Sequence, residues 1–188
     1  MATVKLNPVV ERVRGRIGDL VFKKFFGSMY VARTPNTDGR EPSAAQRAHL
    51  EKFRQAAMFG KAAMADPQVR ALYAGAAKQR KQPVFSLMIA DYFNPPSVDE
   101  IDLSEYAGQA GNTISIRASD DVGVVGVDVT ISDEAGLALE QGPANVSTTE
   151  PGRWLYTSTT SIQPGTHVHV VATATDRPGN KATKTESL

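Results

Sequence analysis

The 188-residue chain contains no cysteine. That excludes a disulfide framework, a thiolate zinc site and a cysteine nucleophile. Long hydrophobic runs are also missing, since nothing approaches the roughly 20 apolar residues that a membrane-spanning helix needs. Lys5, Glu11, Arg12, Arg14 and Arg16 break up the N-terminus, so no signal-peptide core is expected there. Catalytic signatures are absent as well. There is no G-x-S-x-G, H-E-x-x-H, Walker loop or G-x-G-x-x-G, and Gly15-Arg16-Ile17-Gly18 is only G-x-x-G. The chain is therefore expected to be non-enzymatic, to need no cofactor and to insert into no membrane.

What is present is a charge asymmetry. Residues 1–95 carry 16 Lys+Arg against 7 Asp+Glu (net +9), and residues 96–188 carry 5 against 13 (net −8), within a formal total of +1. Such a chain is an electric dipole, and like copies attract head to tail, subject to salt screening. The change of sign falls at Phe93-Asn94-Pro95-Pro96-Ser97, where the pattern also turns from helical to alternating. Paired prolines donate no backbone hydrogen bond and favour extended neighbours. We therefore expect an α+β chain of two domains. Residues 1–94 would form a basic β-ribbon with about three helices, and residues 97–188 an acidic all-β sandwich. The apolar helix before the seam implies a packed, fairly rigid junction.

In the first half, residues 2–10 suit an edge strand broken by Pro8. Gly15 to Gly18 read as a tight turn. Asp19 to Phe26 and Met29 to Arg33 read as strands joined by a Gly27-Ser28 turn. A lone hairpin is marginal in water, and this one offers Arg14, Arg16, Val21, Phe22, Phe25, Phe26, Tyr30 and Val31 as a candidate assembly interface. Two readings stand: packing within the chain, and strand addition between copies. Nucleic-acid binding is a third, but no RNP-type motif accompanies the basic and aromatic residues.

Three helices follow. Ser43-Ala44-Ala45-Gln46 has capping-box form, and Gln46, Leu50, Phe53 and Ala57 share the face expected to pack. Gly60 is the expected end or bend. Asp66-Pro67 opens the second helix, with Val69, Leu72, Tyr73 and Ala76 as its apolar stripe and a basic end at residues 78–82. The third helix, Val84 to Phe93, is apolar nearly all round, so Asp91 within it needs a partner if buried.

Beyond the seam, Ile114, Ile116 and Ala118 alternate, as do Val125, Val127, Val129 and Ile131, then Trp154 and Tyr156, then Val168, Val170, Ala172 and Ala174. About seven short strands in roughly 90 residues fit an immunoglobulin-like sandwich. Two stretches sharpen this: Ala118-Ser119-Asp120-Asp121-Val122-Gly123-Val124, and Ala172-Thr173-Ala174-Thr175-Asp176-Arg177-Pro178-Gly179-Asn180 with its D-x-x-G-N turn. Together they resemble bacterial Ig-like modules of surface, adhesive and appendage proteins. The resemblance covers about half the chain and implies a sandwich bracketed by these two turns. It favours an extracellular or cell-surface assembly, with a cytoplasmic one as the alternative.

Asp120, Asp121 and Asp176 have two readings: carboxylate ligands for calcium, or caps of their own turns. His167 and His169 point the same way on a strand with no third ligand in sight, so they read as a solvated face. The expected function is a structural protein that assembles with itself, head to tail, into a filament, an appendage or a virion-like assembly. The alternative is an Ig-like adhesion module that recognises a surface glycan or protein and is anchored by its basic half.

Overall fold

The structure is a computed structural model, and it describes residues 2–4, 13–25, 28–34, 41–163 and 165–188. It is α+β, with three helices and three antiparallel sheets of four strands among the described residues. The chain forms two compact units, Met1–Arg47 and Ala48–Leu188. The seam expected at residues 94–97 lies inside the second of them.

In the first unit, strands β1 (Ala2–Val4), β2 (Gly15–Ile17), β3 (Leu20–Phe25) and β4 (Ser28–Arg33) form one sheet in the order β1-β4-β3-β2. Strand β1 takes the edge position expected of it. Gly15 to Ile17 is a strand and not a turn, which corrects the sequence reading. The turn is Gly18-Asp19, where Gly18 holds φ +58°, and Ile17 pairs with Leu20 across it. Strands β3 and β4 pair down to Phe25 and Ser28, so Ser28 belongs to the strand rather than to the turn. Residues 26 and 27 lie outside the described residues, as do 5–12 and 35–40.

Helix α1 (Ala44–Ala65) opens with the expected capping box. The Ser43 N–H donates to Gln46 Oε1 at 2.8 Å, and the Gln46 N–H to Ser43 Oγ at 3.2 Å. Gly60 neither ends nor breaks it. It is buried, and a Cβ placed there would stand 2.9 Å from the Phe85 ring. Glycine is therefore present for close helix contact. The buried positions are Ala56, Gly60 and Ala63, whereas Leu50 and Phe53, expected to pack, are 59% and 49% exposed. Helix α2 (Pro67–Arg80) is capped by Asp66, whose carboxylate accepts from the Gln68 and Val69 N–H groups. Helix α3 (Val84–Phe93) has the bounds read from the sequence. Tyr73, Ala77, Leu87 and Met88 form the helical core with Ala63, and Val122 from the loop at residues 120–125 packs against it.

Strands β5 (Ser97–Asp102), β6 (Thr113–Ser119), β9 (Asn145–Val146) and β10 (Arg153–Thr157) make a sheet ordered β5-β6-β10-β9. Strands β7 (Gly126–Asp133), β8 (Ala138–Pro143), β11 (Val168–Thr175) and β12 (Lys181–Ser187) make another ordered β12-β11-β7-β8. Alternation places Ile114, Ile116, Ala118, Trp154 and Tyr156 of one sheet and Val127, Val129, Ile131, Val168, Val170, Ala172 and Ala174 of the other in one buried cluster. The two sheets thus face each other as a β-sandwich.

Candidate functional site

Three places in the chain carry unusual chemistry. The first is the ribbon sheet of residues 1–47. Cross-strand register puts Ile17, Leu20, Phe22, Met29 and Val31 on one face with Lys24 and Arg33. The other face carries Val21, Tyr30 and Ala32 with Arg16 and Lys23. The candidate interface residues are therefore split between two faces. Val21, Phe22, Tyr30 and Val31 are half-buried, and Arg14 and Arg16 are exposed. Arg16 Nε donates to the Gly18 carbonyl at 2.8 Å, which steadies the turn. Phe25 pairs with Ser28 at the end of β3, and Phe26 lies outside the described residues. Val13, Arg14, Phe22, Lys23, Lys24 and Met29 line a cleft of about 480 Å³. Three apolar and three cationic side chains therefore share its lining.

The second place joins the helices to the sandwich, within the second unit. Asp91 is fully buried on α3, and the Tyr73 hydroxyl donates to its Oδ2. Among the described residues its Oδ1 has no partner, and neither has Asp120 Oδ1. Burial raises the Asp91 pKa from an ordinary 3.8 to about 7, against the lowering effect of the Tyr73 bond. The nearby charges of Asp120, Asp176 and Asp121 add to the rise. Burial also holds the Tyr73 hydroxyl well above its ordinary value.

The loop aspartates around Asp91 are engaged. Asp120 Oδ2 accepts from the Val122 and Gly123 N–H groups at 3.0 and 2.9 Å. Asp176 Oδ1 accepts from the Gly179 and Asn180 N–H groups at 2.8 and 2.6 Å. Asp121 accepts from Asn94 Nδ2 at 2.8 Å and pairs with Arg80 at 2.7 Å, and these two partners hold its pKa below the usual range. Asn180 Nδ2 lies 2.7 Å from Asp176 Oδ2 and also donates to the carbonyls of Asp91 and Tyr92, both at 3.3 Å. Both loops thus clasp the end of α3. Among the described residues, no group of three or more His, Cys, Asp or Glu side chains is placed to hold a metal ion. His169 Nδ1 contacts Ser187 Oγ at 2.9 Å, and His167 is exposed.

The third place was not anticipated. Glu140 on β8 is buried and accepts from Tyr156 Oη (2.8 Å), Ser158 Oγ (2.8 Å), Thr159 N (2.6 Å), Thr159 Oγ1 (2.9 Å) and Thr160 N (3.2 Å). Burial pushes its pKa up, and these donors outweigh it and hold the carboxylate below its ordinary value. The only local hint is a Glu in an apolar strand together with a Ser/Thr-rich stretch at residues 157–161. On the outer face of the β5-β6-β10-β9 sheet, a smaller cleft of about 190 Å³ is lined by residues including Asp102, Ser115, Thr149, Glu150 and Arg153.

No helix among the described residues is long and apolar enough to cross a membrane. No protein-family model and no curated protein matches the sequence. Two similar solved structures are CopC from Methylosinus trichosporium OB3b and a tetra-tandem repeat from the extending region of a large adhesion protein. CopC is 14% identical over 49% of this chain and 89% of its own, with a TM-score of 0.36. The adhesion repeat is 27% identical over 50% of this chain, with a TM-score of 0.33, and the match spans 23% of that protein's chain.

Proposed function

We propose that this chain is a non-enzymatic assembly subunit: an Ig-like sandwich joined to helices, carrying a basic β-ribbon that docks on the acidic sandwich of the next copy. The observation that carries the reading is that the described residues of the ribbon form no core. None of its described side chains is buried, and Ile17 and Leu20 are 64% and 41% exposed. A small sheet is stable only when a face is covered. The basic cleft and the net −8 of residues 96–188 supply the complementarity. A contact that joins different surfaces of successive copies without closing extends into a filament. Strand orders β5-β6-β10-β9 and β12-β11-β7-β8 follow the A-B-E-D and G-F-C-C′ arrangement, which supports the Ig-like reading.

Sedimentation velocity and electron microscopy at low salt test the proposal. Oligomers or filaments are expected for the full chain, and a folded monomer after deletion of residues 1–34. A clean monomer of the full chain at tens of micromolar sinks the reading, and assembly that survives the deletion moves the interface elsewhere.

A second reading, adhesion through the sandwich, is favoured by the hydroxyl- and carboxylate-lined cleft around Arg153. Glycan-array binding that is lost in Glu150→Ala and retained without residues 1–34 would select it.

A further inference from the structure

We propose that Asp91 is a proton-operated clasp: neutral, it locks helices α2 and α3 onto the two sandwich loops 120–123 and 176–180, and ionised, it loosens them. The inference is independent of the assembly reading. Asp91 is 0% exposed, and among the described residues one of its oxygens has no partner and its one side-chain donor is a neutral tyrosine. Among the described residues no cation forms an ion pair with it. An ionised carboxylate in that position keeps its desolvation cost nearly uncompensated, whereas a neutral carboxyl tolerates one unpaired oxygen far better.

The groups around it have the wrong sign to help an anion. From α2 come Tyr73 and, at the helix end, Arg80, which is committed to Asp121 at 2.7 Å. The loop between β6 and β7 supplies Asp120 and Asp121, and the loop between β11 and β12 supplies Asp176 and Arg177. The charge of Arg177 acts on Tyr73. Three carboxylates thus raise the proton affinity of the fourth.

The same loops hold the helix mechanically. Asn180 bridges Asp176 to the carbonyls of Asp91 and Tyr92, Asn94 bonds Asp121, and Val122 enters the helical core. Charge on Asp91 therefore strains the contacts that join the two substructures. The sign follows from proton counting. The closed state holds a proton that an open, solvated Asp91 releases, so closure weakens as pH rises from about 4 to about 7 and is constant above that.

The test is amide hydrogen exchange on the full chain at about pH 5 and pH 8, corrected for the intrinsic pH dependence of exchange. Wild type should lose protection about tenfold or more at residues 87–93, 122–123 and 179–180 at the higher pH, tenfold being one pKa unit of differential proton affinity. Asp91→Asn, an isostere of the neutral acid, should show no such change. Tyr73→Phe removes a bond that favours the anion, so its transition should move to higher pH; this variant serves if Asp91→Asn does not fold. Equal protection at both pH values in wild type, or an unchanged response in both variants, overturns the proposal. So does Ca²⁺ or Mg²⁺ abolishing the pH response, because the carboxylates would then be a cation site.

Discussion

The Tyr156 hydroxyl donates a 2.8 Å hydrogen bond to Glu140 Oε1, and both side chains are buried. Strand β8 is thereby tied to β10 of the opposite sheet, and through Ser158, Thr159 and Thr160 to the segment that follows it. Glu140→Ala takes the acceptor from the buried Tyr156 hydroxyl and from the Thr159 and Thr160 donors, while Ser158 Oγ keeps the Thr160 carbonyl at 3.0 Å. An unsatisfied buried donor costs about 1–3 kcal/mol, so a loss of about 3 kcal/mol or more is expected in urea unfolding. The folded pKa lies below the ordinary 4.5, so the contribution of Glu140 is present above that value and fades as pH falls through the folded pKa. Glu140→Gln should flatten that acid limb of the stability–pH profile.

A second prediction tests how tightly the Tyr156 ring is held. A Cβ on Gly142 would stand 3.1 Å from Tyr156 Cε2 and 3.3 Å from its hydroxyl oxygen. The ring is 5% exposed and fixed by Glu140, so it has little room to yield. Gly142→Ala should cost about 1–2 kcal/mol. Combined with Glu140→Ala, which removes the acceptor of the Tyr156 hydroxyl and so frees the ring, the cost should be less than the sum of the single changes. Strict additivity in a double-mutant cycle refutes the coupling.

These residues also mark where local sequence stops being informative. The sandwich core was legible because alternation alone puts Val127, Val129, Ile131, Val168 and Val170 inside. Helix α3 was legible because Pro83 starts it and Asn94-Pro95-Pro96 stops it. The Glu140 hub was not, because its donors come from 16 to 20 residues away. In α1 two neighbouring stripes compete, and periodicity favours the larger side chains. The structure buries Ala56, Gly60 and Ala63, whose small size lets the Phe85 ring approach. The charge seam at residues 94–97 was real in composition. Asn94, Arg80 and Val122 nevertheless join its two sides, and no pattern of residue types announces contacts of that range.

Lys23 and Lys24 line the ribbon's cleft, and both are exposed. Lys23→Glu with Lys24→Glu should leave the thermal midpoint of the sandwich within about 3 °C, because surface substitutions away from special features are each within about 0.5 kcal/mol. Self-association at low salt should fall at least about tenfold in dissociation constant. In the unmodified chain, association should weaken as NaCl is raised, since exposed charges are screened beyond about 10 Å at 0.1 M. Salt-insensitive association that survives the double reversal excludes the cleft as the docking surface.

Lys81 ends α2 in the left-handed region, with φ 53° and ψ 41°, and it is the one non-glycine residue at positive φ among the described residues. Its N–H still bonds the Ala77 and Lys78 carbonyls, so the conformation is fixed by the helix end and not by its side chain. A non-glycine residue pays roughly 1 kcal/mol there. Lys81→Gly removes that strain, while greater freedom of the unfolded chain and loss of a cation near the helix C-terminus take back part of the gain. A net stabilisation of up to about 1 kcal/mol is expected, with Lys81→Asn in between because Asn tolerates this region. Lys81→Val should destabilise by more than 1 kcal/mol, roughly, because a β-branched side chain fits this region worst. Chemical denaturation of the three variants gives the order Gly, Asn, Lys, Val if the backbone at residue 81 is strained, and no consistent order if it is not.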